Sequence, residues 1–249
     1  MKKGTRVKSL GYDLRHSARK RNWLYSNGCR YLNYFNGPDG NLTRNLIIGM
    51  PEATVFGSPV VGENFVEFTH GIAYLNTGIL ENDGMTLLAA GVGPNPGDDS
   101  LMISNYGGKL QGSTTATTTG TSLMFRASTT ASGIVTVIDD VSGASSLIQS
   151  NFAYVNGSNQ FLAMRFGPAL GGVDAWNMTN TAYKNTPFGS GKHVALGDAF
   201  LIGSSYGLGT GKKVKMFGAA IFDRVLGASE ISTVYQAMKA DFLLDNIAV

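Results

Sequence analysis

The chain has 249 residues, a net charge of +3, 33 glycines and only 15% charged residues, a balance foreign to a helical cytosolic enzyme and ordinary for a loop-rich β protein. Its single cysteine, Cys29, excludes an internal disulfide framework and any multi-cysteine metal site, leaving a small buried thiol as the expectation. No run approaches the ~18 apolar residues of a membrane span, and no apolar stretch follows the basic N-terminus, so neither membrane contact nor a secretory signal is expected. The sequons at Asn41, Asn156 and Asn177 are therefore discounted.

Residues 1–30 carry nine Lys/Arg against Asp13 alone, whereas the rest of the chain carries eleven bases against sixteen acids. A basic arm joined to a mildly acidic body follows. Arg15, Arg19, Lys20 and Arg21 form a cluster, and Trp23, Tyr25, Tyr31, Tyr34 and Phe35 follow it, broken by the turn signals Asn27-Gly28 and Asn36-Gly37-Pro38-Asp39-Gly40. Residues 1–58 are thus expected to be an extended docking arm, with Arg15, Arg19, Lys20, Arg21, Trp23 and Tyr25 as its contacts. Basic clusters beside aromatics also bind nucleic acid, but no recognition helix, zinc pattern or RNP motif accompanies them. An acidic protein surface is the preferred partner.

From Pro59 the texture changes to short apolar runs between turns. Val60-Val61 and Phe65–Phe68 lead through His70-Gly71 to Ile72–Leu75, which predicts a hairpin. Strands are predicted next at Met85–Ala90, Leu101–Tyr106, Ser122–Ala127, Ile134–Ile138, Phe152–Val155, Phe161–Phe166, Val173–Met178 and Val194–Leu196. Such spacing, with Gly, Asn, Asp and Ser between the runs, predicts an antiparallel β-sandwich or jelly roll rather than a parallel α/β sheet. The Ser/Thr/Gly run from Gly112 to Ser122 is polar on both faces and reads as a solvated loop.

The last forty residues are the most telling. Phe200 to Phe242 reads as a strand, a glycine-rich turn, a long strand ending Ile221-Phe222-Asp223-Arg224-Val225-Leu226, and a short helix. Strict alternation across Val214 to Asp223 leaves both faces mostly apolar, so this strand is covered on both sides. Gly227 is an acceptable N-cap and Glu230 can reach back to its N–H. Ile231, Val234, Tyr235, Met238 and Phe242 then make one apolar stripe, which predicts a helix packed on the back of the sheet or against the arm.

That order resembles the closing strand and capped helix of the laminin-G/pentraxin-like branch of the concanavalin A-like jelly rolls. A looser likeness extends over residues 60–242, through Phe161–Phe166, the turn at Gly171-Gly172, and Val173–Asn177. The resemblance implies an all-β fold: an antiparallel jelly-roll sandwich at residues 59–249 with one short C-terminal helix, preceded by the extended N-terminal arm. It also implies a structural role for Asp223-Arg224, with Arg224 bonded to loop carbonyls or a carboxylate.

Chemistry is sparse. The hydrolase signature of that superfamily is absent, and Glu63 and Glu67 lie ~13 Å apart on an extended strand, too far for a glycosidase pair. Only His16, His70 and His193 exist, no Ser sits in a nucleophile elbow, and Gly207–Lys212 lacks P-loop spacing and reads as a turn inside a hairpin. The expectation is therefore no catalytic residue and no cofactor. Calcium is the alternative, with Asp98-Asp99 and Asp139-Asp140 as candidate ligands that lack a defined loop pattern. Asn105 with Tyr106, and Trp176 with Asn177, are candidate sugar contacts.

Together these features resemble structural or adhesion components of bacteriophage particles: a non-enzymatic tail, fibre or head-decoration protein, held to other virion proteins through residues 1–58. A homo-oligomer assembled in the host cytoplasm is the expected form. A carbohydrate-binding module for a cell-surface glycan is the alternative, and a polysaccharide hydrolase with an unfamiliar site the third reading.

Overall fold

The computed structural model describes residues 27–35, 42–94, 99–117, 120–207, 209 and 211–249, and the backbone of two paired two-residue strands, β1 (Lys8–Ser9) and β2 (Tyr12–Asp13). The strands that follow are β3 (Cys29–Tyr34), β4 (Thr54–Phe56), β5 (Val60–Val61), β6 (Val66–Thr69), β7 (Tyr74–Leu80), β8 (Met85–Val92), β9 (Ser100–Ser104) and β10 (Ser122–Phe125). Beyond them lie β11 (Thr130–Asp139), β12 (Ser145–Ala153), β13 (Asn159–Gly167), β14 (Gly172–Asn177), β15 (Ala182–Pro187), β16 (Lys192–Val194), β17 (Ala199–Ile202) and β18 (Lys213–Phe222). The helix α1 (Ala228–Leu244) follows.

Two eight-stranded antiparallel sheets face each other. One runs β12-β11-β10-β9-β17-β7-β4, with β16 also on β11; the other runs β15-β14-β13-β8-β18-β6-β5, with β3 also on β18. The expected all-β jelly-roll sandwich with a C-terminal helix is what forms. Between the sheets lies a core that includes Phe68, Leu75, Leu87, Phe125, Val135, Met164, Phe166, Phe200 and Ile221. Successive strand side chains alternate between this core and the outside.

On the β8–β18 sheet the outside is buried too. Leu32, Leu88, Phe161, Phe217, Ala220 and Phe222 meet Ile231, Val234, Tyr235, Met238 and Phe242 of α1 in a second core. The helix stripe read from the sequence is the face that packs, and it covers the back of the sheet. Glu230 Oε2 accepts from the Gly227 N–H at 2.6 Å, satisfying one of the donors a helix start leaves open. Arg224 donates to the Asn27 carbonyl at 2.9 Å and to Glu230 Oε1 at 2.6 Å, so its role is structural. Asp223 completes the corner with Arg30 Nε at 2.5 Å.

Four expectations are corrected. Residues 29–34 and 54–56, read as part of a docking arm, are β3 and β4 within the sheets. Tyr31 faces the inner core while Leu32 and Tyr34 face the helix, so β3 is covered on both sides and shows no alternation to read. The predicted hairpin at 65–75 is instead a crossing, because β6 and β7 lie in different sheets. Its corner is fixed by buried His70, whose Nδ1–H donates to the Gly209 carbonyl and whose Nε2 accepts from Ser205 Oγ at 2.9 Å. Burial lowers the pKa of that imidazole, against the opposing effect of these two bonds. β17 and β18 likewise belong to opposite sheets, so the glycine-rich link between them is a crossover and not a hairpin turn. Finally, a bulge between Met216 and Gly218 resets the phase of β18: Val214, Met216, Ala219 and Ile221 point inward, while Phe217, Ala220 and Phe222 meet the helix.

Candidate functional site

A groove of about 500 Å³ opens where the connection between β9 and β10 meets the start of β12. Thr136 and Ile138 come from β11, Ser145 from β12 and Ala195 from the residue after β16, while Tyr106, Leu110 and Thr117 come from the connection. Gly107, Gly143 and Gly207 complete the lining, which contains no charged side chain. Tyr106 is half-buried, and its backbone is held at both ends. Its N–H donates to Ser104 Oγ at 3.0 Å and its carbonyl accepts from the Tyr206 N–H at 2.8 Å. Gly107 has φ +73°, and a Cβ there would meet Gly207 Cα at 2.4 Å. Only glycine lets these two loops touch and shape the groove beside Tyr106.

Asn105, paired with Tyr106 as a sugar contact in the sequence reading, is not on the surface. It is fully buried, its Nδ2 donates to Glu81 Oε2 at 2.8 Å and to the Asp198 carbonyl at 3.1 Å, and its Oδ1 accepts from the Thr121 N–H at 2.6 Å. Such a saturated amide anchors the loop behind Tyr106 and has nothing left for a ligand.

The second predicted pair also separates. Asn177 is fully buried, with Nδ2 on Gln160 Oε1 at 2.6 Å and on the Ala153 carbonyl at 3.1 Å. Adjacent residues of a strand face opposite ways, and Trp176 lies on the outer face. There it sits opposite Tyr183 of β15, ring centroids 5.2 Å apart at 30°, with the Arg165 guanidinium 5.3 Å from its own ring centroid. Asp174 is the hub of this patch. Its Oδ2 accepts from Arg165 Nε and Nη2 at 2.9 and 2.7 Å, and its Oδ1 accepts from Tyr183 Oη and Asn185 Nδ2, each at 2.8 Å. The carboxylate is thereby filled and its charge matched, so the aromatic pair stands on a rigid, neutral support. Tyr183 is 53% exposed. Burial, and then the bond to Asp174, push its hydroxyl pKa up.

Sequence reasoning found Trp176 but missed Tyr183, Asp174, Arg165 and Asn185. The usable signal was the pairing of 172–177 with 182–187 across the Thr179-Asn180-Thr181 turn, which sets Trp176 against Tyr183.

The acidic candidates do not converge. Asp139 Oδ1 is turned back on its own loop, accepting from the Val141 N–H, the Ser142 N–H and Ser142 Oγ at 3.1, 2.8 and 2.9 Å. Those bonds, the Ser142 ones foremost, lower its pKa. Asp140 Oδ1 pairs with His193 Nδ1 at 2.6 Å. Asp99 Oδ1 accepts from the Ala127 N–H at 2.5 Å. Among the described residues no three His, Cys, Asp or Glu side chains come together as a metal site. Asp98, and the predicted docking residues Arg15, Arg19, Lys20, Arg21, Trp23 and Tyr25, lie outside the described residues.

The two facing antiparallel sheets define a jelly-roll β-sandwich. No family model and no curated protein sequence matches the chain. Among solved structures it is similar to the botulinum neurotoxin serotype D binding domain, at 12% identity and TM-score 0.54, over 85% of this chain and 51% of that one. It is also similar to Trypanosoma rangeli sialidase in complex with sialic acid, at 14% identity and TM-score 0.57, over 86% of this chain and 33% of that one. The botulinum neurotoxin type G receptor binding domain matches at 13% identity and TM-score 0.52, over 76% of this chain and 47% of that one. The chain thus spans about half the length of the toxin domains and a third of the sialidase. Identity this low carries the jelly-roll fold and nothing finer.

Proposed function

We propose that this chain is a non-enzymatic, lectin-like binding domain for an uncharged carbohydrate, with the Tyr106 groove as its main contact. The observation that carries this reading is the groove itself: about 500 Å³, aromatic at Tyr106, hydroxylated at Thr117 and Ser145, and free of charged lining. Its size is that of a small-molecule site. A pyranose offers a C–H face to stack on an aromatic ring and hydroxyls for short polar side chains and open glycine backbone. The likeness to toxin binding domains and to a sialidase in complex with sialic acid supports a binding role through the fold alone.

A second location for the same function is favoured by the Trp176–Tyr183 platform, whose rigid Asp174 support suits the flat face of a longer glycan. A glycan array that includes neutral and sialylated chains, run with wild type, Tyr106→Ala and Trp176→Ala, tests both. Loss of a neutral-glycan signal only in Tyr106→Ala supports the groove, and loss only in Trp176→Ala moves the site to the platform. No signal from the wild type overturns the reading.

Attachment to a virus particle is a separate proposal, supported by the basic charge of residues 1–30. Deleting residues 2–26, which stops short of β3, should abolish incorporation into particles and leave a soluble sandwich. Normal incorporation of the truncated chain would refute it.

A further inference from the structure

Glu81, just past the end of β7, is only 3% exposed and is not among the residues that touch the groove. Its Oε2 accepts from Asn105 Nδ2 and from the Gly197 N–H, each at 2.8 Å. Its backbone carbonyl accepts from Gln111 Nε2 at 2.6 Å, and the same amide reaches the Gly197 carbonyl at 2.7 Å. These partners flank Tyr106, Leu110 and Ala195, so one residue ties together two of the segments that shape the groove.

The other carboxyl oxygen is anomalous. Oε1 is buried without a hydrogen-bond partner, and so is the Thr121 hydroxyl. That hydroxyl nevertheless lies close enough to act on the Glu81 carboxyl. A buried carboxylate with one oxygen unsatisfied is costly, and among the described residues no cation acts on it. The charged residues on the segments that carry its hydrogen-bond partners are Asp198, whose Oδ2 accepts from the Lys109 N–H at 3.2 Å, and Lys109, whose side chain is exposed. Neither contributes to the electrostatics of Glu81, which burial and its hydrogen bonds to Thr121, Asn105 and Gly197 determine.

We propose that Glu81 is a positioning residue for the Tyr106 groove that works as the uncharged acid, with Oε1–H donating to Thr121 Oγ1 while Oε2 accepts the Asn105 and Gly197 N–H groups. One added proton gives both orphaned atoms a partner. The proton state of Glu81 stands independently of any ligand; its effect on sugar affinity rests on the groove reading.

Burial holds the folded pKa of Glu81 above its ordinary 4.5, against the smaller opposing effect of its hydrogen bonds. The neutral form is therefore the one that folding favours. Its contribution is complete below about pH 4.5 and is lost as pH rises through the folded pKa, tenfold in the folding equilibrium for each pH unit between the two values.

The test uses the full chain. Glutamate side-chain carboxyl resonances are followed by carbon NMR from pH 3 to 9 in wild type and in Glu81→Gln, with urea melts at each pH. Gln reproduces the neutral acid: its carbonyl accepts the two N–H groups and its amide donates to Thr121. One resonance should titrate above 4.5 and be missing from Glu81→Gln, and the variant should gain stability over wild type as pH rises. Amide exchange at Thr121 and Gly197 should accelerate with pH in wild type beyond the intrinsic base-catalysed rise, and the excess should vanish in the variant. Where the array yields a ligand, its affinity should fall with pH in wild type only. Titration of Glu81 at or below 4.5, parallel pH profiles for the two proteins, or an unfolded Glu81→Gln would each overturn the proposal. Failure of glycan binding alone would overturn the groove reading and leave the Glu81 titration to decide this one.

Discussion

Replacing Phe242 by Ala probes whether α1 is an integral layer or an ornament. Phe242 is fully buried, its ring meets Tyr34 edge-on at 5.4 Å and Phe217 at 6.4 Å, and it lies over Gly218, where an added Cβ would sit 3.1 Å from Phe242 Cζ. Removing a buried Phe side chain costs about 3–5 kcal/mol, cavity included, out of about 5–15 kcal/mol for a whole domain. The upper half of that range is expected, because the edge-to-face contact with Tyr34 disappears as well. With a urea m-value near the top of roughly 1–3 kcal/mol/M for a chain this long, the midpoint should fall by about 1.3–1.7 M. Leu244→Ala is the control, since Leu244 is on the same helix but 59% exposed, and it should cost under about 0.5 kcal/mol. A loss below about 1 kcal/mol for Phe242→Ala, or equal losses in the two variants, would refute the helix-covered second core.

Two further outcomes follow from single positions. Gly203 has φ +75°, and a Cβ there would stand 2.2 Å from Phe68 Cβ in the inner core; Gly203→Ala should cost at least about 2–3 kcal/mol by urea melt, and a neutral result would contradict the close sheet-to-loop approach. Cys29 is buried, and burial drives its thiol pKa far up, so a disulfide reagent should leave it untouched in the native protein and label it fully in urea. Rapid native labelling would contradict its place under α1.

What the sequence disclosed and what it concealed have physical causes. The helix was legible because Ile231, Val234, Tyr235, Met238 and Phe242 repeat at helical spacing after a Gly/Glu start, and that pattern depends on nothing distant. The Phe161–Asn177 hairpin was legible for the same local reason, and its strands do pair, Leu162 against Asn177 through Gly167 against Gly172. Which sheet a strand joins is not local: β6 and β7 are separated by a short corner and still part company. β3, Cys-Arg-Tyr-Leu-Asn-Tyr, was hidden by being covered on both sides, and β15, Ala-Tyr-Lys-Asn-Thr-Pro, by being mostly exposed at an edge. The phase of β18 was misread because a bulge leaves no mark in an apolar run.

The site was half legible for a related reason. Tyr106 and Trp176 were identified as aromatics next to an amide, yet the amides Asn105 and Asn177 turned out to be buried braces. Polar residues default to the surface in any reading of composition, so Glu81, Asn105 and Thr121 could not be distinguished from loop residues before the loops were folded together. Asp174 was concealed likewise, since its four hydrogen-bond donors come from two other strands, β13 and β15, and gather only when both pair with β14.

The central claim, that the uncharged groove beside Tyr106 receives a sugar, is tested most directly by mapping backbone amide shifts while titrating the strongest array ligand into the labelled full chain. Saturable shifts are expected at Tyr106, Gly107, Thr117 and Ser145, with none at Trp176 and Tyr183. Shifts confined to β14 and β15, or no saturable shift in the groove, would contradict it.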